Sequence, residues 1–180
     1  MTIPLHTEKM LAVRLPRYDE LPTIGLYKDQ VLELVNSYLG AFYATENPMT
    51  DTMVNNYVKL KVIAAPIKKR YNRFQLAQLM MTCLLKKVLS IAEVRELLDL
   101  YPEEGLLQGA YDRFCEELED VVSISFNGTS VNSISVPFLT QREEGDSLLM
   151  SSAIGSFACK LYFEVTLESQ RKQLKEVGTL

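Results

Sequence analysis

The chain has no tryptophan, and its one histidine, His6, stands near the N-terminus. Histidine-dependent acid–base chemistry and His-rich metal sites are thereby nearly excluded. Cys83, Cys115 and Cys159 are the three cysteines, far apart on apolar patterns and with no CxxC pair. That spacing fits small buried thiols in a reducing compartment rather than a disulfide framework or a zinc site. No apolar run approaches the ~20 residues of a membrane span, and Met1–His6 lacks the basic start and apolar core of a signal peptide. A cytoplasmic protein with no membrane contact is expected. GxGxxG, GxxxxGK(S/T) and GxSxG are also missing, so no phosphate cradle or serine elbow is written in the chain. Neighbouring acids such as Glu116–Glu117 and Glu143–Glu144 point different ways on a helix and make no catalytic dyad alone. The expectation is a protein that is not an enzyme and needs no cofactor and no metal.

What the chain does have is segregated charge. Nine of its 19 basic residues fall between Lys59 and Arg95 against one acid, Glu93. That window carries +8 and the rest −12, summing to the net −4. Residues 96–120 hold nine acids and only Arg113. A basic module inside an acidic protein is the electrostatic footprint of nucleic-acid binding. At 180 residues the chain is one domain, or a small module with an extension. It is long enough to bury about 70% of its unfolded surface.

Periodicity divides the chain. Pro4, Pro16 and Pro22 make residues 1–26 an extended arm. A helix is expected at 27–43, with Val31, Leu34, Val35, Tyr38, Leu39 and Phe42 on its apolar stripe. A short helix follows at 51–60, capped by Thr50 or Asp51. Its Thr52, Asn55, Asn56 and Lys59 recur at i, i+3, i+4, i+7 and share one acid-free face. Met53, Val54, Tyr57 and Leu60 cover the other. Asparagine offers the donor and acceptor that match the major-groove edge of adenine. Residues 61–71 read as a tight β-like excursion turning at Pro66, with Lys68, Lys69 and Arg70 behind the turn. Asn72 with Gln75, and Ser90 with Glu93, are capping boxes opening helices at 73–88 and 91–100. In the first of these, Gln75, Gln78, Thr82 and Lys86 make the wet face, and Lys86 and Lys87 suit the helix C-terminus. A helix at 106–121 turns Leu106, Leu107, Ala110, Tyr111, Phe114, Cys115 and Leu118 inward. Around Asn127-Gly128, residues 122–140 read as a hairpin or a loop. A long helix runs from Asp146 to about 174.

Several runs carry a family resemblance. They are Val54-Asn55-Asn56-Tyr57-Val58-Lys59-Leu60, Pro66, Arg70-Tyr71-Asn72, Leu76-Ala77-Gln78-Leu79 and Leu89-Ser90-Ile91-Ala92-Glu93-Val94-Arg95-Glu96-Leu97. In that order they resemble a MerR-type winged helix-turn-helix. With Leu21-Pro22, Leu26-Tyr27-Lys28-Asp29-Gln30-Val31 and Lys68-Lys69-Arg70-Tyr71 added, Pro16 to Cys115 is similar to an uncharacterised bacterial family with a MerR-like domain. The resemblance implies a mainly α fold: a MerR-like winged helix-turn-helix with a short wing over 27–100. A helical dimerisation or effector region over 101–180 would follow.

The same resemblance implies a transcriptional regulator bound to double-stranded DNA, expected as a homodimer with an effector left open. Its implied DNA-binding residues are Thr52, Asn55, Asn56, Tyr57 and Lys59 on the recognition helix, with Lys68, Lys69, Arg70, Tyr71 and Arg73 in or near the wing. Lys61 stands where such proteins usually end the recognition helix with glycine, and the wing is shorter than usual. Roughly six phosphate contacts would lower affinity ~10³-fold between about 50 and 200 mM salt. The competing reading is a non-catalytic interaction adaptor on the same fold, its acidic half covering a basic face.

Overall fold

Apolar periodicity becomes six α-helices in the computed structural model, which describes residues 8, 10–43, 46–126 and 145–176. They are α1 (Lys28–Leu39), α2 (Asp51–Lys59), α3 (Arg73–Leu85), α4 (Ile91–Asp99), α5 (Glu104–Phe126) and α6 (Gly145–Glu176). Among the described residues there is no strand, only two isolated bridges. The fold is mainly helical.

Local chemistry starts the helices where the sequence says. Thr50 Oγ1 accepts from Met53 N–H at 3.4 Å and caps α2. Asn72/Gln75 and Ser90/Glu93 both form the reciprocal capping box. Each satisfies two N–H groups that the first turn leaves without intrahelical partners.

The central element is α3, which touches α1, α4, α5 and α6. Every residue from Gln75 to Leu85 is buried. The expected wet face of this helix is therefore wrong for Gln75, Gln78 and Thr82. A helix packed on several sides needs partners for each polar group it buries. Thr82 Oγ1 donates to Gln78 O at 2.7 Å. Gln75 is satisfied by the excursion described below. Gln78 Oε1 has no hydrogen-bond partner.

The N-terminal segment is built into the core rather than standing off as an arm. Met10, Leu15, Tyr18 and Leu21 are buried, and Tyr18–Glu20 form a 3₁₀ turn. The acids of α5 hold it. Arg17 donates to both carboxylate oxygens of Glu119, each at 2.8 Å, and Leu15 N–H donates to Glu119 Oε1 at 2.7 Å. Tyr18 N–H donates to Asp112 Oδ1, and its hydroxyl to Glu104 Oε1, both at 2.7 Å. Part of the acidic run at 96–120 thus serves internal latching.

Helix α5 is longer than expected and absorbs residues 122–126. The hairpin-or-loop question for the remainder, 127–140, lies outside the described residues, as does His6. Leu106 is exposed on α5, while the other expected inward residues are buried. Ser151 Oγ donates to Glu117 at 2.8 Å, and the Tyr162 ring meets Phe126 at 5.4 Å. Both partners advance along the chain together, so α5 and α6 run parallel. By length and composition Leu148–Lys172 could cross a membrane, which the expectation from apolar runs did not foresee. In the fold, 44% of its apolar window is buried, including Ile154, Phe157, Ala158 and Leu161. Core packing accounts for part of that apolarity, while Leu149, Tyr162 and Phe163 of the same helix are exposed.

Cys83 and Cys115 are buried and Cys159 is exposed. Burial pushes both buried thiols up to about 12, which leaves almost no thiolate at neutral pH. A thiol reagent at pH 8 should therefore label one cysteine per native chain, Cys159, and all three after denaturation. Native labelling of Cys83 would contradict this packing.

Candidate nucleic-acid interface

Helix α2 presents the polar face that its spacing demands. Thr52, Asn55, Asn56 and Lys59 are all exposed. The opposite face buries Val54 and Tyr57. Leu60, expected inward, is 47% exposed. Nor is the face acid-free. Asp51 begins it and accepts from Asn55 Nδ2 at 2.8 Å. Lys28 ion-pairs with Asp51 and donates to Asn55 Oδ1 at 3.2 Å. Both ends of the Asn55 amide are therefore engaged inside the protein. The side chains of Thr52, Asn56 and Lys59 form no hydrogen bond or ion pair with any described residue.

The helix ends in a Schellman motif. Val62 N–H donates to Tyr57 O at 2.9 Å and Lys61 N–H to Val58 O at 3.1 Å. This motif requires a left-handed residue, normally glycine. Here it is Lys61, at φ 56°. The left-handed conformation costs a side-chain-bearing residue roughly 1–2 kcal/mol.

The excursion at 61–71 turns at Lys68–Lys69, not at Pro66. Ile67 and Arg70 exchange both backbone hydrogen bonds, at 3.0 and 2.9 Å, around these two lysines. Lys68 and Lys69 have φ of 49° and 63°. Positive φ at both central residues is the type I′ pattern, which ordinarily selects Asn-Gly. The three lysines are the non-glycine residues with positive φ among those described.

Contacts from Leu26, from Gly25 and Tyr27, and from Gln75 fix this turn. Leu26 and Tyr71 exchange backbone bonds at 2.9 and 2.8 Å. Arg70 stacks 4.6 Å over the Tyr27 ring and donates to Gly25 O and Tyr27 Oη. Gly25 permits that approach, since a Cβ there would lie 3.0 Å from Arg70 Cβ. Gln75 Nε2 donates to Ala64 O and Ala65 O at 2.9 and 2.8 Å. Its capping-box signal was visible in the sequence. Its second grip, on the excursion, had no signal.

The expected site residues therefore separate. Tyr57 and Tyr71 are each 5% exposed and belong to the core. Arg73 is half-buried, held by Leu21 O at 3.2 Å and Asp19 at 3.0 Å. Arg70 is exposed but committed to Tyr27. Lys87 pairs with Glu164 at 2.7 Å and lies 4.7 Å from the Tyr43 ring, joining α3 to α6. Arg95 pairs with Asp99, and Lys86 donates to Leu89 O. Lys59, Lys61, Lys68 and Lys69 remain exposed with no partner among the described residues. The +8 window reduces to four available cations, of which Lys59 shares its face of α2 with Thr52 and Asn56.

Among the described residues, no group of three or more His, Cys, Asp or Glu side chains could hold a metal ion. No curated protein and no solved structure matches the chain. A family model does match, over residues 16–114, from the N-terminal latch through α4 and into α5. The chain belongs to that family, Domain of unknown function (DUF1836).

Proposed function

We propose that the protein is a cytoplasmic DNA-binding transcriptional regulator of MerR-like design and not an enzyme. Helix α2 lies against the duplex, and the Lys68–Lys69 turn acts as a short wing on the neighbouring backbone. The observation that carries this reading is the backbone state of three exposed lysines. Lys61, Lys68 and Lys69 occupy left-handed positions where glycine or asparagine is cheaper. Strain of this kind persists where the strained residue is needed for something other than stability. Four partnerless cations gain counterion release against phosphate. Thr52 and Asn56 can read base edges, Asn56 with both amide atoms uncommitted.

Replacing the turn with its preferred residues tests this directly. Lys68→Asn with Lys69→Gly should raise stability by about 1–2 kcal/mol. It should also lower the salt slope of duplex binding by about 2, one per lost phosphate contact. Urea unfolding and fluorescence anisotropy on a labelled duplex read the two effects. Unchanged duplex affinity in the stabilised variant would remove the turn from the interface.

A further inference from the structure

Between α4 and α6 lies an open, mainly apolar groove of about 460 Å³. Leu97, Leu100, Leu149 and Ala153 supply its apolar lining, and Glu93 and Glu96 its charge. Leu149 is 59% exposed. Glu93 is anionic, held below the usual carboxylate range by hydrogen bonds from Ser90. Glu96 is exposed with no partner among the described residues. The groove asks for an aliphatic side chain flanked by cations.

The same chain carries that chemistry. Ile67 is 71% exposed immediately before Lys68 and Lys69, and Leu60 is 47% exposed between Lys59 and Lys61. The chain cannot fill its own groove with this turn. The turn adjoins the N-terminal end of α3, and Leu89, on the groove wall, follows its C-terminal end. A helix of that length separates the two by about 20 Å. We infer that the Ile67–Lys69 turn of one copy docks into the α4–α6 groove of a second copy. Ile67 meets Leu97, Leu100 and Leu149, and the lysines meet Glu93 and Glu96. This rests on the same lysines as the proposed DNA face, so the paired form is a masked state that duplex DNA competes away.

Charge reversal across the contact tests it. Wild type at low salt should sediment as a dimer at high concentration and as a monomer at high salt. Glu96→Lys and Lys68→Glu should each weaken self-association by about tenfold or more, because like charges then face each other. Mixing the two variants should restore association, since every facing pair is again complementary. A carbodiimide should join Lys68 or Lys69 to Glu93 or Glu96 between chains.

A wild type that stays monomeric overturns the inference. So does a dimer that neither reversal weakens, or a mixture that fails to recover. Duplex binding is read separately with Glu96→Lys, whose change lies outside the DNA face. If this variant binds duplex but wild type never self-associates, the masking fails and the regulator stands. If mixing restores the dimer but no form binds duplex, the docking stands and the DNA reading fails.

Discussion

Raising salt from about 50 to 200 mM will lower duplex affinity by about 10², the slope of four phosphate contacts. The sequence alone would set this nearer ~10³. The difference lies in particular side chains. Arg73 is consumed by Leu21 O and Asp19, and Arg70 by the Tyr27 ring. Substituting Lys59, Lys68 and Lys69 together with Ala should leave a log–log slope near ~1. Arg95→Ala should leave the slope unchanged, because Arg95 sits on α4 and pairs with Asp99. Fluorescence anisotropy across a salt series makes the comparison. A flat response in wild type would reject the regulator and favour the adaptor reading.

Glu119→Ala should destabilise the fold by about 3 kcal/mol, at the low end for breaking a buried ion pair. One carboxylate receives both arms of Arg17 and the backbone N–H of Leu15. The pair is not fully dry, with Arg17 and Glu119 side chains 25% and 19% exposed, so a larger figure is not expected. Its loss leaves the Leu15 N–H without its acceptor and Arg17 with only Leu15 O at 3.0 Å and Glu116 at 4.0 Å. Glu119→Gln keeps one acceptor for Leu15 and should cost about half as much. Asp112→Ala removes the acceptor of Tyr18 N–H and should cost about 1–2 kcal/mol. Urea unfolding of the three variants measures the series. A loss under ~1 kcal/mol for Glu119→Ala would mean that the N-terminal segment is not latched as described.

The helices were legible because their signals are local. Thr50, Asn72 with Gln75, and Ser90 with Glu93 mark helix starts through contacts three residues apart. The stripe of Ile154, Phe157, Ala158 and Leu161 marks a core face. What escaped was set by elements distant in sequence. Nothing near Gln78 or Thr82 says that α3 is covered on several sides. Nothing near Arg17 says that Glu119 awaits it. Tyr57 and Tyr71 carry the family resemblance, but their burial comes from elements distant in sequence. The strain at Lys61 was legible only through the family resemblance, which puts a helix-ending glycine at that position. That at Lys68 and Lys69 was not, because Pro66 is the stronger local turn signal and drew the turn two residues early.

The parallel run of α5 and α6 carries a consequence in time. An antiparallel pair closes like a hairpin, each contact made beside the last. A parallel pair must first bring the start of the second helix back along the whole first one. Every contact between them then spans a similar long loop, and that closure entropy precedes any gain from packing. Helix α6 is also synthesised after α1 to α5. Until it docks, the apolar side chains it will cover, Phe42 and Phe126 among them, stand open to water. The nascent chain thus passes through a stage in which α1 to α5 are made but incompletely covered, when it is most exposed to aggregation.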